Sequence, residues 1–378
     1  MITRTKSLAG VALLAFAAFV LTACAATEEA AMDETNTAGA EANSSLSGTL
    51  VGAGASSQGS AQEAWVAGFQ TANPDVTVTY DPIGSGGGRE TFQSGASSFA
   101  GSDRAFKVDE ITEGPFGSCV EEAGIWEIPA YISPIAIIFN LEGISSLNLD
   151  ADTLAQIFTG EITNWNDAAI ASQNAGVDLP DLAITAVHRS DESGTTANFT
   201  DYMSKASTDF WLLAGENAGS FEAWPAEWGG EGAPQTSGVV DAVTNGTGTI
   251  GYADASRAGS LGTVSVKVGS EYVPYSPEAA AKIVDASPAA NPGERGDNDL
   301  AIELDRASEA SGTYPIVLVS YLIGCNDYAD DSVVDLVKGY VSYVVSEEGQ
   351  LAAQANAGNA PISADSRAKA EAILASIK

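Results

Sequence analysis

Histidine occurs once in these 378 residues and cysteine three times, and 16 Lys and Arg stand against 50 Asp and Glu. Each shortage excludes a class of function. With a single His and no C-x-x-C spacing there is no cluster to hold zinc, so no metal site is expected and a zinc hydrolase is excluded. A formal charge of -34 without a Lys/Arg cluster offers no basic face to displace counterions, so nucleic acid is not an expected partner. The acidic surplus reads as a solvated surface. Neither a G-x-S-x-G elbow nor a G-x-x-x-x-G-K-[ST] loop is present, which removes the corresponding hydrolases and nucleotidases. His188, the one imidazole that could act as a base, precedes Arg189 on a predicted strand and would face away from it, so it reads as structural or surface. No catalytic residue and no cofactor is expected.

What is present is the make-up of a folded chain. The hydrophobic content of 45% and the 39 Gly suit globular lobes with many tight strand-to-helix turns, and the length fits two of them. The N-terminus is set apart. Arg4 and Lys6 precede an apolar run from Leu8 to Leu21, which closes on Leu21-Thr22-Ala23-Cys24. This is the pattern of a secretion signal over residues 1–23 with a lipobox, so Cys24 is the expected lipid-bearing residue and the membrane a partner through that anchor alone. Residues 24–46 carry Glu28, Glu29, Asp33, Glu34 and Glu41 among Ala, Thr, Ser and Asn without an apolar period, and read as a flexible tether. Cys119 and Cys325 are then the remaining thiols. An oxidising compartment favours a disulfide between them over two buried free thiols.

From residue 47 onward, short β-rich runs alternate with helical patterns. The runs 48–51, 76–80, 98–101, 135–139, 183–187 and 314–323 read as strands. The stretches 58–72, 195–204, 333–345 and 364–377 read as helices, and another is expected to follow Gly86-Gly87-Gly88. This order predicts an α/β protein with mainly parallel sheets.

Three turns share one design in which a strand ends, a Gly/Ser-rich turn follows and a helix begins. They are Gly52-Ala53-Gly54-Ala55-Ser56-Ser57, Ile83-Gly84-Ser85-Gly86-Gly87-Gly88 and Arg189-Ser190-Asp191-Glu192-Ser193-Gly194-Thr195. Each would present backbone N–H groups at a helix N-terminus, where the dipole favours an anion, with hydroxyl donors from Ser56, Ser85, Ser193 and Thr195. One such turn is ordinarily an N-cap; three in one chain, one of them beside an Arg, point to an anion site.

Taken in order, these turns and the motifs Gly101-Ser102-Asp103, Gly160-Glu161-Ile162-Thr163-Asn164-Trp165, Gly248-Thr249-Ile250-Gly251-Tyr252 and Tyr314-Pro315-Ile316 resemble the phosphate-binding protein of the high-affinity bacterial phosphate ABC importer (Pst system), over nearly all of residues 47–378. The resemblance implies a two-lobed, type II-like periplasmic binding protein fold with the ligand cleft between the lobes. The chain would cross near Ser133 and near Gly312, giving lobe one as residues 47–134 plus 312–378 and lobe two as 135–311. It implies inorganic phosphate as ligand, the permease subunits of an ABC importer as partner, and a lipid-anchored position on the extracytoplasmic face of the cell membrane. By motif, Ser56, Ser57, Ser85, Asp103, Arg189, Ser193, Gly194 and Thr195 would bind phosphate, with Asp191 orienting Arg189. This chain departs from the family pattern in having Ser56-Ser57 for Thr-Phe, Ser85-Gly86 for two Ser, and His188 where a second Arg is common. The competing functions are a receptor for another tetrahedral oxyanion, such as sulfate or molybdate, and a secreted phosphatase.

Overall fold

A computed structural model describes residues 46–208, 210 and 219–378, so the signal, Cys24 and the tether up to residue 45 lie outside the described residues. Eleven strands are found among the described residues: β1 (Gly48–Gly54), β2 (Val76–Asp81), β3 (Phe99–Ser102), β4 (Ile125–Phe139), β5 (Ser146–Leu149), β6 (Thr185–Arg189), β7 (Glu231–Ala233), β8 (Thr249–Asp254), β9 (Gly262–Val268), β10 (Glu271–Val273) and β11 (Val317–Cys325). They form one sheet in the order β2-β1-β3-β11-β4-β8-β6-β7, with β5 and β10 joined through β9. No helix among the described residues is long and apolar enough to cross a membrane.

The long strand β4 makes the sheet a structure of two parts. Up to Pro134 it pairs with β11, and from Ile135 it pairs with β8. The first part is therefore β1, β2, β3, β11 and the start of β4, and the second holds the end of β4 with β5 to β10. All fifteen residues of β4 are buried, as befits a strand covered on both faces. Its prolines, Pro129 and Pro134, fall beside a register shift at Ser320/Tyr321 and at the change of partner, where a missing N–H costs least.

The expectation of mainly parallel sheets needs correction. β1 with β2 and β3, β6 with β7 and β8, and β5 with β9 are parallel, but β11 with β3 and β4, β4 with β8 and β9, and β9 with β10 are antiparallel. Apart from the β9–β10 hairpin, the reason is the pair β4 and β11. They lie side by side in opposite directions and so reverse the sense of pairing wherever they meet a neighbour. A second correction concerns Gly86-Gly87-Gly88, which lie inside the helix Ser85–Gln93 and not ahead of it. Glycine weakens a helix, yet a Cβ at Gly88 would stand 2.3 Å from Gly54 Cα and one at Gly86 2.5 Å from Glu192 Cβ. Close approach to two other turns decides the residue type.

Helices Gly59–Ala72, Val334–Val345 and Glu347–Ala357 pack around the first part, burying Trp65, Phe69, Phe99 and Tyr340 in one aromatic core. The Cys119–Cys325 disulfide is formed, with the Cα atoms 5.2 Å apart, and ties the end of β11 to the loop before β4. After helix Pro277–Ala286 the chain lies along the first part: Leu300 N–H donates to the Glu127 carbonyl at 2.9 Å, and Arg295 bonds Glu127 Oε2 at 3.0 Å.

Candidate functional site

The three Gly/Ser turns converge. β1, β2 and β3 run parallel, so their carboxyl ends share one edge, which is where open α/β sheets place ligands. Gly84 N–H donates to the Gly54 carbonyl at 2.9 Å and Ala55 N–H to the Gly101 carbonyl at 2.8 Å, locking the first two turns and the end of β3 together. The third turn follows β6 in the second part and meets them from the opposite side. Gly86 N–H donates to the Glu192 carbonyl at 3.3 Å. Two glycines permit this contact: a Cβ at Gly84, whose φ is +98°, would lie 2.6 Å from Asp191 Oδ2, and one at Gly194 2.5 Å from Ser85 Oγ and 2.6 Å from Asp103 Cβ.

Asp103 is at the centre and 3% exposed. Its Oδ1 accepts from Ser57 Oγ and Ser320 Oγ, both at 2.6 Å, and its Oδ2 accepts from Thr195 Oγ1 at 3.0 Å. Asp103 N–H in turn donates to Ser85 Oγ at 3.1 Å. Burial pushes the carboxyl pKa up, while the bonds from Ser320, Ser57 and Thr195 and the charge of Arg189 pull against it without cancelling it. Ser193 caps the helix Gly194–Ala206, its Oγ accepting from Thr196 N–H at 3.2 Å.

Arg189, the last residue of β6, is 3% exposed. Asp191 grips its Nε at 2.8 Å and its Nη2, leaving Nη1 out of that fork. Burial would raise the Asp191 pKa, but the Arg189 hydrogen bonds and charge outweigh burial and hold it below the usual carboxylate range. Gln235 N–H adds a third bond to Asp191 at 2.9 Å. A charge-assisted fork of this kind fixes the guanidinium plane.

Ser56 stands apart from its neighbours in the turn. It faces the second part, within 3.0 Å of Thr236 Oγ1, and its Oγ accepts from Thr236 N–H at 3.1 Å. His188 is half-buried and stacks on Trp224 with ring centroids 5.0 Å apart, and its Nδ1 lies 2.9 Å from the Arg189 carbonyl. Burial lowers its pKa against that bond, and the stacking on Trp224 makes it a packing residue. Sequence reasoning missed Ser320, Gln58 and Asn198. Gln58 Nε2 donates to Ser320 Oγ at 2.6 Å and so aims the Ser320 hydroxyl at Asp103.

A buried carboxylate ringed by hydroxyls, a clamped guanidinium and three turns with helix N-termini make a small polar cage suited to an oxyanion that also carries a proton. Comparison with known proteins agrees with this chemistry. The PBP superfamily domain matches residues 39–348. Phosphate-binding protein PstS 3 of Mycobacterium tuberculosis is 34% identical over 346 residues, 89% of this chain and 90% of that one. PstS 2 of the same organism is 31% identical over 348 residues, 90% of each. Among solved structures, a high affinity periplasmic phosphate-binding protein (PfluDING) bound with phosphate superposes with a TM-score of 0.67 at 22% identity, over 86% of this chain and 93% of that one. A phosphate-binding protein from Stenotrophomonas maltophilia does so with a TM-score of 0.62 at 20% identity, over the same shares. At those identities the likeness is one of fold. The chain belongs to the PBP superfamily and, within it, to the PstS family of phosphate-binding proteins.

Proposed function

We propose that this protein captures inorganic phosphate outside the cytoplasm and delivers it to the permease subunits of an ABC importer, acting as a binding protein and not as an enzyme. The observation that carries the reading is the set of bonds at Asp103. A carboxylate has about four acceptor positions, and three are used by Ser57, Ser320 and Thr195. The fourth, on Oδ2, suits one more donor. Phosphate brings an O–H at neutral pH, whereas sulfate would bring an anionic oxygen against a buried carboxylate. In this reading Arg189 neutralises the anion with Asp191 setting its plane. Ser85 and Ser193 supply hydroxyl donors, and Ser56, Ser57, Gly194 and Thr195 supply backbone N–H donors, because the Ser57 and Thr195 hydroxyls already donate to Asp103 and the Ser56 hydroxyl lies on Thr236.

The residues of the cage come from both parts of the sheet, which supports two lobes that close on the ligand, 47–134 plus 312–378 and 135–311, although the stretch from Arg295 to Ile302 lies against the first of them. An anion contacting both sides binds the closed arrangement better and shifts the population toward it. Lipid on Cys24 would hold the protein at the extracytoplasmic face of the membrane. Cys24→Ser should release it into the medium, and a variant that withstands salt and carbonate washes overturns the anchor. Calorimetry with phosphate, sulfate and molybdate on the mature protein tests the ligand. Phosphate alone should bind tightly; comparable heat from sulfate sinks the assignment.

A further inference from the structure

We propose that Asn198 and Arg306 are positioning residues for anion capture, a proposal that rests on the phosphate-binding reading above. Asn198 lies in the second turn of the helix Gly194–Ala206 and is 8% exposed. Its Nδ2 donates to the Gly194 carbonyl at 2.8 Å and to the Asp103 carbonyl at 2.7 Å. One amide thus ties together two of the loops that build the cage, one from each part of the sheet.

An amide can turn over, exchanging its oxygen for its nitrogen. Here its orientation is dictated by Arg306, whose Nη2 donates to Asn198 Oδ1. A guanidinium has no acceptor, so the oxygen must face it and the two N–H donors must face the carbonyls. Turned over, the amide would set oxygen against two carbonyl oxygens and nitrogen against a cation. Arg306 has little freedom itself: it is 2% exposed, Nε bonds Asp201 Oδ2 at 3.0 Å, and Nη1 bonds the Pro315 and Val317 carbonyls at 3.0 and 2.5 Å, where β11 begins. The charge also makes the amide a stronger donor.

The tie matters because of the space beside Asp103. A cavity of about 210 Å³ is lined by Asp103, Arg104, Asn198 and Arg306. Without the amide the Asp103 loop has room to shift, and its carboxylate would leave the register with Thr195 that the ligand requires. Positioning of this kind costs affinity and not necessarily folding.

Phosphate titrations on the full-length lipoprotein in detergent decide the matter, using the parent, Asn198→Ala, Arg306→Met, the double variant and Arg306→Lys, with the ligand-free melting temperature recorded for each. Each of Asn198→Ala and Arg306→Met should weaken phosphate about 10-fold, the loss expected for one good hydrogen bond. The double variant should be within about 2-fold of Asn198→Ala, because Arg306 acts through the amide. Arg306→Lys, which restores a charged donor, should recover most of the loss. Parent-like affinity in Asn198→Ala, or losses that multiply in the double variant, overturns the proposal. If Arg306→Met does not fold, Asn198→Ala and Arg306→Lys decide by the same criteria. A parent that does not bind phosphate at all refutes the functional reading instead, and is told apart by that.

Discussion

Replacing Asp103 with Asn exchanges an acceptor for an N–H donor with almost no change in size. The donor would meet a sulfate oxygen favourably, so sulfate should gain affinity while phosphate loses little. Sites built to pair one polar group discriminate by about 10⁴ to 10⁵, and competition binding should show most of that preference lost in Asp103→Asn; sulfate still excluded as in the parent would clear Asp103 of the role. Asp254 offers a separate test at this scale. It is fully buried where β4 changes partner, paired with Ile135 and holding Tyr131 Oη at 3.0 and 3.2 Å. Burial, opposed by Ser256, Ser133 and Tyr131, pushes its pKa up to about 6. A raised carboxyl contributes stability that is complete below its unfolded value and lost as pH rises through about 6. Asp254→Asn should therefore gain on the parent between pH 4 and pH 7.5, by on the order of 3 kcal/mol, and urea unfolding at the two pH values measures it. The turn residues that surround Asp103 were legible in the sequence because Gly and Ser after a β run have a local meaning. Ser320 was not: it sits inside the apolar run of β11 and reads as one polar residue in a buried strand. Gln58 and Asn198 read as ordinary helix residues for the same reason, since their partners are distant in sequence.

Among elements, the contact that bears most directly on closure lies beside the cage. Glu222, from the segment between the helix Gly194–Ala206 and β7, reaches to the first part, where its Oε2 accepts from Arg89 Nη2 at 2.5 Å and Arg104 Nε at 2.9 Å. Its carbonyl accepts from Ser193 N–H at 3.2 Å, so the same residue steadies the Arg189 turn. All three side chains are largely buried, and removing one partner from such a group costs several kcal/mol. In the two-lobe reading proposed above, that cost falls on the closed arrangement. Glu222→Gln should weaken phosphate at least about 10-fold by lowering the closed fraction, while leaving the ratio of phosphate to sulfate affinity unchanged; a changed ratio would place Glu222 in the cage itself. The elements were read well where the period was regular, as in β2 and the helix Val334–Val345. The course of β4 was not, because Pro129, Ser133 and Pro134 look like breaks in a strand, and only 135–139 had the unbroken run that marks one. The antiparallel pairing of β4 with β11 depends on partners nearly two hundred residues apart, which no local pattern records.

For the molecule as a whole, the charge of -34 has little reach into a buried cage. Screening confines surface charge to about 8 Å at physiological salt. The disulfide acts on a larger scale. With Cys119 and Cys325 separated by 206 positions in the sequence, the chain-entropy model gives about 5 kcal/mol of stabilisation through the unfolded state. Cys119→Ser/Cys325→Ser should lower the guanidinium unfolding midpoint, and an unchanged midpoint would mean that native strain cancels the entropic gain. The same bond makes more than half of the chain a covalent ring that contains the whole second part of the sheet. A protease that cuts one peptide bond anywhere inside that ring divides the polypeptide but not the molecule. Nicked protein would keep the parent mass on a gel until reductant is added, and both sides of the cage would stay on one particle, held to one another by sulfur after the backbone between them has been broken.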